Sequence, residues 1–367
     1  MNPETQFCPN PACPARGQVG AGNIGVHSRV EQRYRCHQCR QTFSASKGTA
    51  VYGLKYEVDV FVKVSTLLAH GCPVRAAALA FELDERTVQD WLAKSGQHCQ
   101  RVHEALIGGA RLDLGQVQTD ELRVKTQGGQ VWMALALCVP FRLWLGGVVS
   151  RQRDLTLIRA LVVMIVTVAL CRPLLLAADG LSSYVRAFQE AFRAPLPRRT
   201  RGRPRLRPWD DLAIVQVVKQ RCQGVLDVQR RIVQGGEPLV QRLLQQTQGG
   251  GQINTAYIER LNATFRLCFA PLIRRGRAIA CLPQTLHDGM FLLGCVYNFC
   301  TDHDSLALKL YLPHSAHRWV RRTPAMAAGL TDHRWSMAEL LTFKVPPAPY
   351  IPPKKRGRPP KRKELSL

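Results

Sequence analysis

The sequence is poor in acidic residues. Asp and Glu number 26 against 51 Lys and Arg, which leaves a formal net charge of +25. Such an excess favours a polyanionic partner, because each phosphate neutralised by a basic side chain releases condensed counterions. Charge alone does not choose DNA over RNA or an anionic membrane surface. Hydrophobic residues make up 46% of the chain, which argues against wholesale disorder and allows a sizeable core.

Long hydrophobic runs are also missing. The most apolar stretch, from Leu155 to Leu176, contains Arg159 and is broken by Arg172-Pro173. The uncharged part is well short of the roughly 18–20 residues that cross a bilayer, so we expect no membrane partner. The pattern predicts a buried helix followed by a buried strand. The first residues, MNPETQFCPN, lack the basic and then apolar layout of a signal peptide.

Cysteines are numerous but only four are grouped. Nine of the thirteen, from Cys72 to Cys300, are scattered singly among apolar residues, which is typical of reduced thiols in an intracellular protein. The other four follow the spacing of a four-thiolate zinc site, in which tight turns present paired sulfurs to one tetrahedral ion. These four are Cys8, Cys13, Cys36 and Cys39.

Residues 1–50 are therefore predicted to form a zinc ribbon around one structural Zn²⁺. The segments Arg33–Arg35 and Gln41–Phe43 would be the two strands of a hairpin on either side of the second cysteine pair. A module this small could hardly fold without its metal. A disulfide pair remains an alternative, and His27 or His37 could replace one thiolate. Contact with DNA and contact with protein are both open as its role.

Residues 57–106 read as helices joined by short turns. A helical run from Val58 to His70 is stopped by Gly71, and a short helix follows over Val74–Phe81. Asp84 then stands as the N-cap of a third, amphipathic helix. Two helices with a tight turn predict a helix-turn-helix domain, although an ordinary helical hairpin has the same pattern. The residues expected to face a DNA major groove are Arg86, Thr87 and Gln89.

Residues 112–312 alternate strand-like and helix-like segments, and three acids stand at notable positions. Asp120 follows a short strand from Gln116, and Asp179 follows the buried strand that starts at Pro173. Glu259 lies on a predicted helix, Ala256–Arg266, at the edge of its apolar stripe. Three strands, a helix and a fourth strand are typical of a ribonuclease H-like α/β core. In such a core the acids at the ends of the first and fourth strands, Asp120 and Asp179, would lie close together. Glu259, on the later helix, would join them.

Three converging carboxylates suit metal-dependent chemistry on phosphate esters. Two Mg²⁺ or Mn²⁺ ions held by hard oxygen ligands can activate a nucleophile and stabilise the leaving oxygen of a phosphoryl transfer. Asp120, Asp179 and Glu259 are thus the predicted catalytic and metal-binding residues. Glu121 competes with Asp120 for its place, and Asp288 competes for the third position.

Several segments resemble bacterial DDE transposases of the insertion-sequence-one-like type. They are YRCHQCRQTF from Tyr34, QTDE from Gln118, ADGLSSY from Ala178 and YIERLNATFR from Tyr257. The resemblance covers roughly residues 8–330. It implies a zinc ribbon and a helix-turn-helix joined to a ribonuclease H-like catalytic domain. The three acids would be the catalytic triad, with Asn262 and Arg266 as supporting residues on the helix.

The resemblance also implies an activity. Such an enzyme would bind double-stranded DNA at the terminal inverted repeats of an insertion sequence, cut the strands and transfer them into target DNA. Two ends must be brought together, so we expect a homo-oligomer. The expected location is the bacterial cytoplasm, at the nucleoid. A zinc-containing DNA-binding regulator and a catalytically inactive transposase derivative are the alternatives.

Two basic, Pro-rich segments share an Arg-Gly-Arg-Pro core. Arg201 and Arg203 lie in a basic insertion at 193–208, and Arg356 and Arg358 lie in the tail 346–367, which is predicted to be disordered. The core resembles an AT-hook, whose arginines follow the floor of a narrow minor groove. A generic polybasic linker is the alternative for both. Residues 313–345 are expected to be a C-terminal extension.

Overall fold

The structure is a computed structural model, and it describes residues 1–196, 205–222, 225–274, 276, 278–310 and 318–352. The four arginines of the predicted AT-hooks, at 201, 203, 356 and 358, lie outside the described residues. The chain forms two compact units, one made of Met1–Gly53 with Lys344–Leu367 and the other of Leu54–Phe343.

The first unit contains one small antiparallel sheet. Its strands, in the order β1-β2-β3, are β1 Ile24–Ser28, β2 Arg33–Cys36 and β3 Thr42–Ser44. Strands β2 and β3 are the predicted hairpin, with Tyr34 opposite Phe43. These two buried rings and the buried cysteines make the core of the unit.

The second unit begins with three helices, α1 Val58–Ala69, α2 Val74–Ala80 and α3 Glu85–Leu106. The predicted N-cap of α3 is confirmed, because the Asp84 carboxylate accepts a hydrogen bond of 2.8 Å from the Arg86 backbone N–H. Val88, Trp91 and Leu92 are buried. Beyond them α3 continues for several turns into the centre of the unit.

The rest of the unit alternates strands and helices. The strands are β4 Gln116–Thr126, β5 Gly129–Cys138, β6 Leu143–Ser150, β7 Leu174–Asp179, β8 Arg193–Pro195, β9 Leu206–Pro208, β10 Leu212–Cys222, β11 Val225–Gln234, β12 Leu308–Leu310 and β13 Arg318–Val320. The helices are α4 Leu155–Val168, α5 Ser182–Ala191, α6 Glu237–Gln248, α7 Ala256–Cys268, α8 Pro283–Cys295, α9 Pro324–Ala327 and α10 Met337–Thr342. Short 3-10 or π turns cover Ala270–Leu272, Val296–Cys300 and Asp304–Leu306.

Six strands form the central mixed sheet, in the order β11-β10-β7-β4-β5-β6. Strand β7 runs parallel to both neighbours, and the outer pairs β4-β5, β5-β6 and β10-β11 are antiparallel. Helices α4 and α5 pack together, α4 contacts β5 and β6, and both α6 and α7 contact β4. The expected mixed α/β class is confirmed.

Strand β4 is longer than the sequence suggested. Asp120 was expected at the end of a strand, but β4 continues to Thr126 because Leu122 and Val124 are buried and pair with β5. The pairing of β4 with β7, however, stops at Gln118 opposite Ala177. The backbone next to Asp120 is therefore open on the side where β7 ends, and Asp179 lies at that end.

Helices α3 and α8 cross closely. A Cβ atom on Gly96 would lie 2.3 Å from the carbonyl oxygen of Asp288. Any side chain at this position of α3 would push the two helices apart, so the crossing requires glycine.

In the described part of the chain, no helix combines the length and apolarity that a membrane crossing needs. The predicted boundaries inside the second unit, at 57–106, 112–312 and 313–345, stay predictions, since the structure shows these segments in one compact unit.

Candidate active site

The four grouped cysteines of the first unit converge on one point. The Sγ atoms of Cys8 and Cys39 are 3.6 Å apart, and those of Cys13 and Cys36 are 3.8 Å apart. All four sulfurs lie within 4.8 Å of one another. Four thiolates at 2.3 Å from a tetrahedral zinc ion would be separated by about 3.8 Å. The group could therefore bind a metal ion, as predicted.

Neither alternative ligand joins this group. Among the described residues the cluster consists of cysteines alone, without His27 or His37, and the His37 ring instead packs on Gly25. Burial raises the pKa of the Cys8 and Cys13 thiols. The pKa of Cys39 is lowered to about 7, since hydrogen bonds from Asn10 and the Gln41 backbone outweigh its burial. Such a closed, buried set of sulfurs is typical of a structural metal site.

The three predicted acids of the second unit line one open cavity of about 360 Å³. Asp120 comes from β4, Asp179 from the end of β7 and Glu259 from the first turn of α7. The remaining lining residues come from β4, from β10, from the turn after β7 and from the residue that precedes α7: Thr119, Gly180, Val217, Val218, Lys219 and Thr255.

Asp120 is the most deeply placed acid. Its Oδ1 accepts a hydrogen bond of 2.9 Å from the Glu121 backbone N–H, and its Oδ2 accepts one of 2.7 Å from Asn262 Nδ2. Burial raises the pKa of Asp120 to about 6, and the charges of Glu121, Asp179 and Glu259 add to the effect. Negative charge is thus concentrated where the strands end.

Asp179 is held by the turn that follows β7 and by an arginine. Its Oδ1 accepts a hydrogen bond of 2.9 Å from the Leu181 backbone N–H. Its Oδ2 accepts one of 2.8 Å from Arg153, whose Nε donates to Glu121 at 2.7 Å. Arg153 therefore bridges Asp179 to a carboxylate on the other face of β4.

Glu259 is held by a lysine and a hydroxyl. Its Oε1 accepts hydrogen bonds from Lys219 Nζ and, at 2.6 Å, from Thr255 Oγ1. These two donors lower the pKa of Glu259 even though burial acts to raise it. The cavity thus contains the ammonium group of Lys219, which already donates a hydrogen bond to one carboxylate oxygen of Glu259.

The start of α7 is fixed by a side chain from β4. Gln118 Oε1 accepts hydrogen bonds of 3.0 and 3.1 Å from the backbone N–H groups of Tyr257 and Ile258, and Asn254 Oδ1 accepts one from Ala256. Gln118 therefore ties the helix that carries Glu259 to the strand that carries Asp120, and it satisfies N–H groups that a helix end leaves free.

The two competing acids are placed differently. Oxygen atoms of Glu121, Asp120 and Asp179 lie within 4.8 Å of one another, but the Glu121 side chain is fully buried, pairs with Arg153 and does not line the cavity. Asp288 is buried on α8, accepts a hydrogen bond from Gln284 and lines a different cavity beside α3.

The other predicted site residues vary in position. Asn262 contacts Asp120 directly, whereas Arg266 does not line the cavity; burial and the charge of Arg274 lower its pKa. On the first turns of α3, Arg86 and Gln89 are exposed and Thr87 is half-buried. Arg153, Lys219 and Gln118 were not predicted. The only signal for Gln118 was its place in the run of polar residues beside Asp120.

A scan of the chain against protein-family models and a search among curated proteins found no match. What the cavity does is therefore inferred from its chemistry.

Proposed function

We propose that the chain is a DNA transposase, which cuts and rejoins DNA by metal-dependent phosphoryl transfer. The observation that carries the proposal is that Asp120, Asp179 and Glu259, distant in sequence, line one open cavity. Carboxylates are rarely gathered without a cation, because their mutual repulsion in a partly buried site costs free energy. The raised pKa of Asp120 is a consequence of that repulsion and of burial.

The donor set fits divalent metal ions. Carboxylate oxygens are the hard ligands that Mg²⁺ and Mn²⁺ prefer, and the open cavity leaves room for a phosphate group beside them. Two such ions, when bound, supply an activated water or 3′-hydroxyl nucleophile and neutralise the leaving oxygen. Each of the three carboxylates keeps unused lone pairs, since an ionised carboxylate offers about four acceptor sites.

The chain's own residues position these acids. Asn262 donates to Asp120 and orients its carboxylate, and Gln118 holds the first turn of α7 so that Glu259 faces the cavity. Arg153, which also pairs with Glu121, donates a hydrogen bond to Asp179 and holds its carboxylate in place. Because each acid is fixed by at least one neighbour, little reorganisation is needed at the moment of reaction.

The order of the sheet supports a ribonuclease H-like core. Strands β4, β5 and β6 form an antiparallel meander, and β7 and β10 extend the sheet in parallel on the other side of β4. The helix that carries the third acid follows β10 and β11 along the chain. The tight turn between α2 and α3 and the capped start of α3 support the helix-turn-helix proposal.

The proposed substrates are the terminal inverted repeats of the element and a target duplex. The net charge of +25 supports a nucleic-acid partner. A zinc ribbon is proposed for the cysteine cluster, and a homo-oligomer is proposed because two ends have to be joined.

The test is a cleavage assay with the full chain. The substrate is a plasmid carrying the inverted repeats that flank the coding region in its genome, with Mg²⁺, Mn²⁺ or EDTA. Asp179→Ala should reduce cleavage by at least about a thousandfold, since a metal ligand supplies several kcal/mol of transition-state stabilisation. Binding to the ends should remain. Asp210→Ala removes an exposed acid outside the cavity as the matched control. Cleavage retained by Asp179→Ala would overturn the proposal.

A zinc-containing DNA-binding regulator is the second candidate, favoured by the cysteine cluster and the exposed Arg86 and Gln89 on α3. It leaves the acid cavity unexplained. Tight end binding without metal-dependent cutting by the unaltered chain would favour the regulator or an inactive transposase derivative.

A further inference from the structure

A second, smaller cavity lies against another side of α7. It has a volume of about 90 Å³, and its polar lining is Arg142, Tyr257, Arg260, Thr264, Tyr297, His303 and Ser305. We name it the arginine pocket. No carboxylate lines it, and within the described parts of the chain neither Arg142 nor Arg260 makes an ion pair.

The pocket gathers positive charge without a counter-charge. The guanidinium of Arg142 lies 4.1 Å from the centre of the Tyr257 ring and donates a hydrogen bond to the Val139 carbonyl. His303 Nδ1 is 3.0 Å from Ser305 Oγ. Burial lowers the pKa of His303, and the charges of Arg142 and Arg260 lower it further against the weaker effect of Asp304. Arg142 and Arg260 repel each other beside the half-buried His303 ring. An anion bound between the two guanidinium groups would relieve that repulsion.

The backbone of Arg142 is a second, independent observation. It lies in the turn between β5 and β6 with φ of 52°, and its N–H contacts the Val139 carbonyl at 3.3 Å. This left-handed region favours glycine or asparagine, so an arginine there is strained.

Helix α7 separates the arginine pocket from the acid cavity. Successive residues turn by about 100° around a helix. Glu259 therefore borders the acid cavity on one flank, and Arg260 and Thr264 border the arginine pocket on the other. Between these flanks the exposed surface of the helix carries Ala256 and Ala263, and the exposed Leu267 follows one turn later. The two alanines let an extended ligand lie across the first turns of the helix and reach both cavities.

We propose that the arginine pocket binds a backbone phosphate of the DNA strand that enters the acid cavity. The inference rests on the proposed function. The volume matches about three waters, which is room for one tetrahedral oxyanion. Guanidinium groups present planar pairs of donors to phosphate oxygens, and the Thr264 and Ser305 hydroxyls can donate as well. A helix is about 10 Å wide, so the two phosphates are near neighbours on one strand.

The test scans the strand for that contact. A set of duplex ends carries one neutral methylphosphonate at each successive position, and binding to the full chain is measured in EDTA. We expect one position, within a few nucleotides of the cut, at which the unaltered chain loses about tenfold in affinity. With Arg142→Gln/Arg260→Gln that sensitivity should disappear, and the slope of log affinity against log salt should fall by about one.

Two further variants guard the interpretation. Arg260→Gln alone changes an exposed side chain and should keep the fold while removing most of the sensitivity. Arg172→Gln removes an exposed arginine before the other end of β7 and should leave the methylphosphonate profile unchanged. An identical profile for the unaltered chain and the double variant would overturn the proposal.

Inorganic phosphate separates the two sources of the ligand. If phosphate raises the thermal midpoint of the unaltered chain only and the methylphosphonate profile is flat, the pocket binds a free anion and the DNA assignment is wrong. Because binding is read in EDTA, the result does not depend on cleavage. A flat profile beside normal cleavage overturns the inference alone, whereas a sensitive position without any cleavage overturns the proposed function alone.

Discussion

The cysteine cluster and the acid cavity are two metal-binding candidates built on opposite principles. The cysteines come from two tight turns of one small unit, and three of the four are fully buried around a single point. The acids come from positions 120, 179 and 259 and line an open space, where Arg153 and Lys219 already contact two of them. A closed sulfur site stabilises a fold, whereas an open oxygen site leaves room for a substrate.

The largest effect is expected from a variant that disrupts the cysteine cluster. Cys36→Ser should eliminate binding of the proposed zinc ion and unfold Met1–Gly53, because structural zinc contributes about 10–16 kcal/mol in zinc-finger peptides. Zinc content per chain and the map of protease-sensitive sites measure this. Cys171→Ser, at an exposed thiol, is the control. One zinc per chain retained by Cys36→Ser would contradict a structural site.

The next test asks whether Glu259 or Glu121 is the third of the proposed metal ligands in the acid cavity. Glu259→Gln should reduce cleavage by about a thousandfold with little change in unfolding temperature, since Glu259 faces the cavity. Glu121→Gln should mainly destabilise the fold, because it leaves the charge of Arg153 without its buried partner. Cleavage rates and thermal unfolding of both variants decide. The opposite split would make Glu121 the ligand.

Without divalent metal ions, the acid cavity should lower the free energy of unfolding, whereas the cysteine cluster with its proposed zinc ion should raise it. The folded chain holds the Asp120 proton with a pKa of about 6 against an ordinary value of 3.8. The folded state thus binds more protons than the unfolded one between these values, and stability in EDTA falls as pH rises through that window. The penalty above pH 6 is about 3 kcal/mol.

Asp120→Asn should therefore be more stable than the unaltered chain by about 2–3 kcal/mol at pH 8 and equally stable near pH 4. Asn262 can adapt, because its Oδ1 is buried without a partner in the described residues and a rotated amide would accept a hydrogen bond. Urea unfolding of both proteins in EDTA at the two pH values measures the difference. A variant less stable at pH 8 would show that the aspartate is not under repulsion.

The smallest effect concerns the lysine in the acid cavity. Lys219→Met should strengthen Mn²⁺ binding by about twofold to fivefold, since a half-exposed ion pair of up to about 1 kcal/mol no longer competes for Glu259. Titration calorimetry measures the affinity. Lys63→Met, which breaks an exposed pair with Asp59 on α1, is the matched control. Weaker Mn²⁺ binding by Lys219→Met would mean that the lysine supports the site instead.

Much of the fold follows from local patterns. The buried helix expected in the apolar stretch that starts at Leu155 runs over Leu155–Val168, and the strand expected from Pro173 begins at Leu174. Apolar periodicity determines such elements, because burial of one face decides their structure. Local pattern failed at Asp120, which was expected to end its strand, whereas β4 runs on to Thr126. Strand β5 pairs with that segment and extends β4.

The contacts around the acids could not be predicted in the same way. Arg153 reaches Glu121 and Asp179, and Lys219 reaches Glu259, only because the sheet order brings distant segments together. No spacing in the sequence encodes such pairs. The three acids themselves were found since each follows or begins a recognisable element, and Asn262 followed from the resemblance of its helix.

The close crossing at Gly96 has a mechanical consequence. Helix α3 has 22 residues and is therefore about 33 Å long. Gly96, near its middle, packs closely against α8, so the helix is fixed in the unit that also carries the acid cavity. If the first turn of α3 reads a DNA groove, the helix holds that turn at a constant distance from the acid cavity. The number of base pairs between the recognised sequence and the cut would then be constant as well.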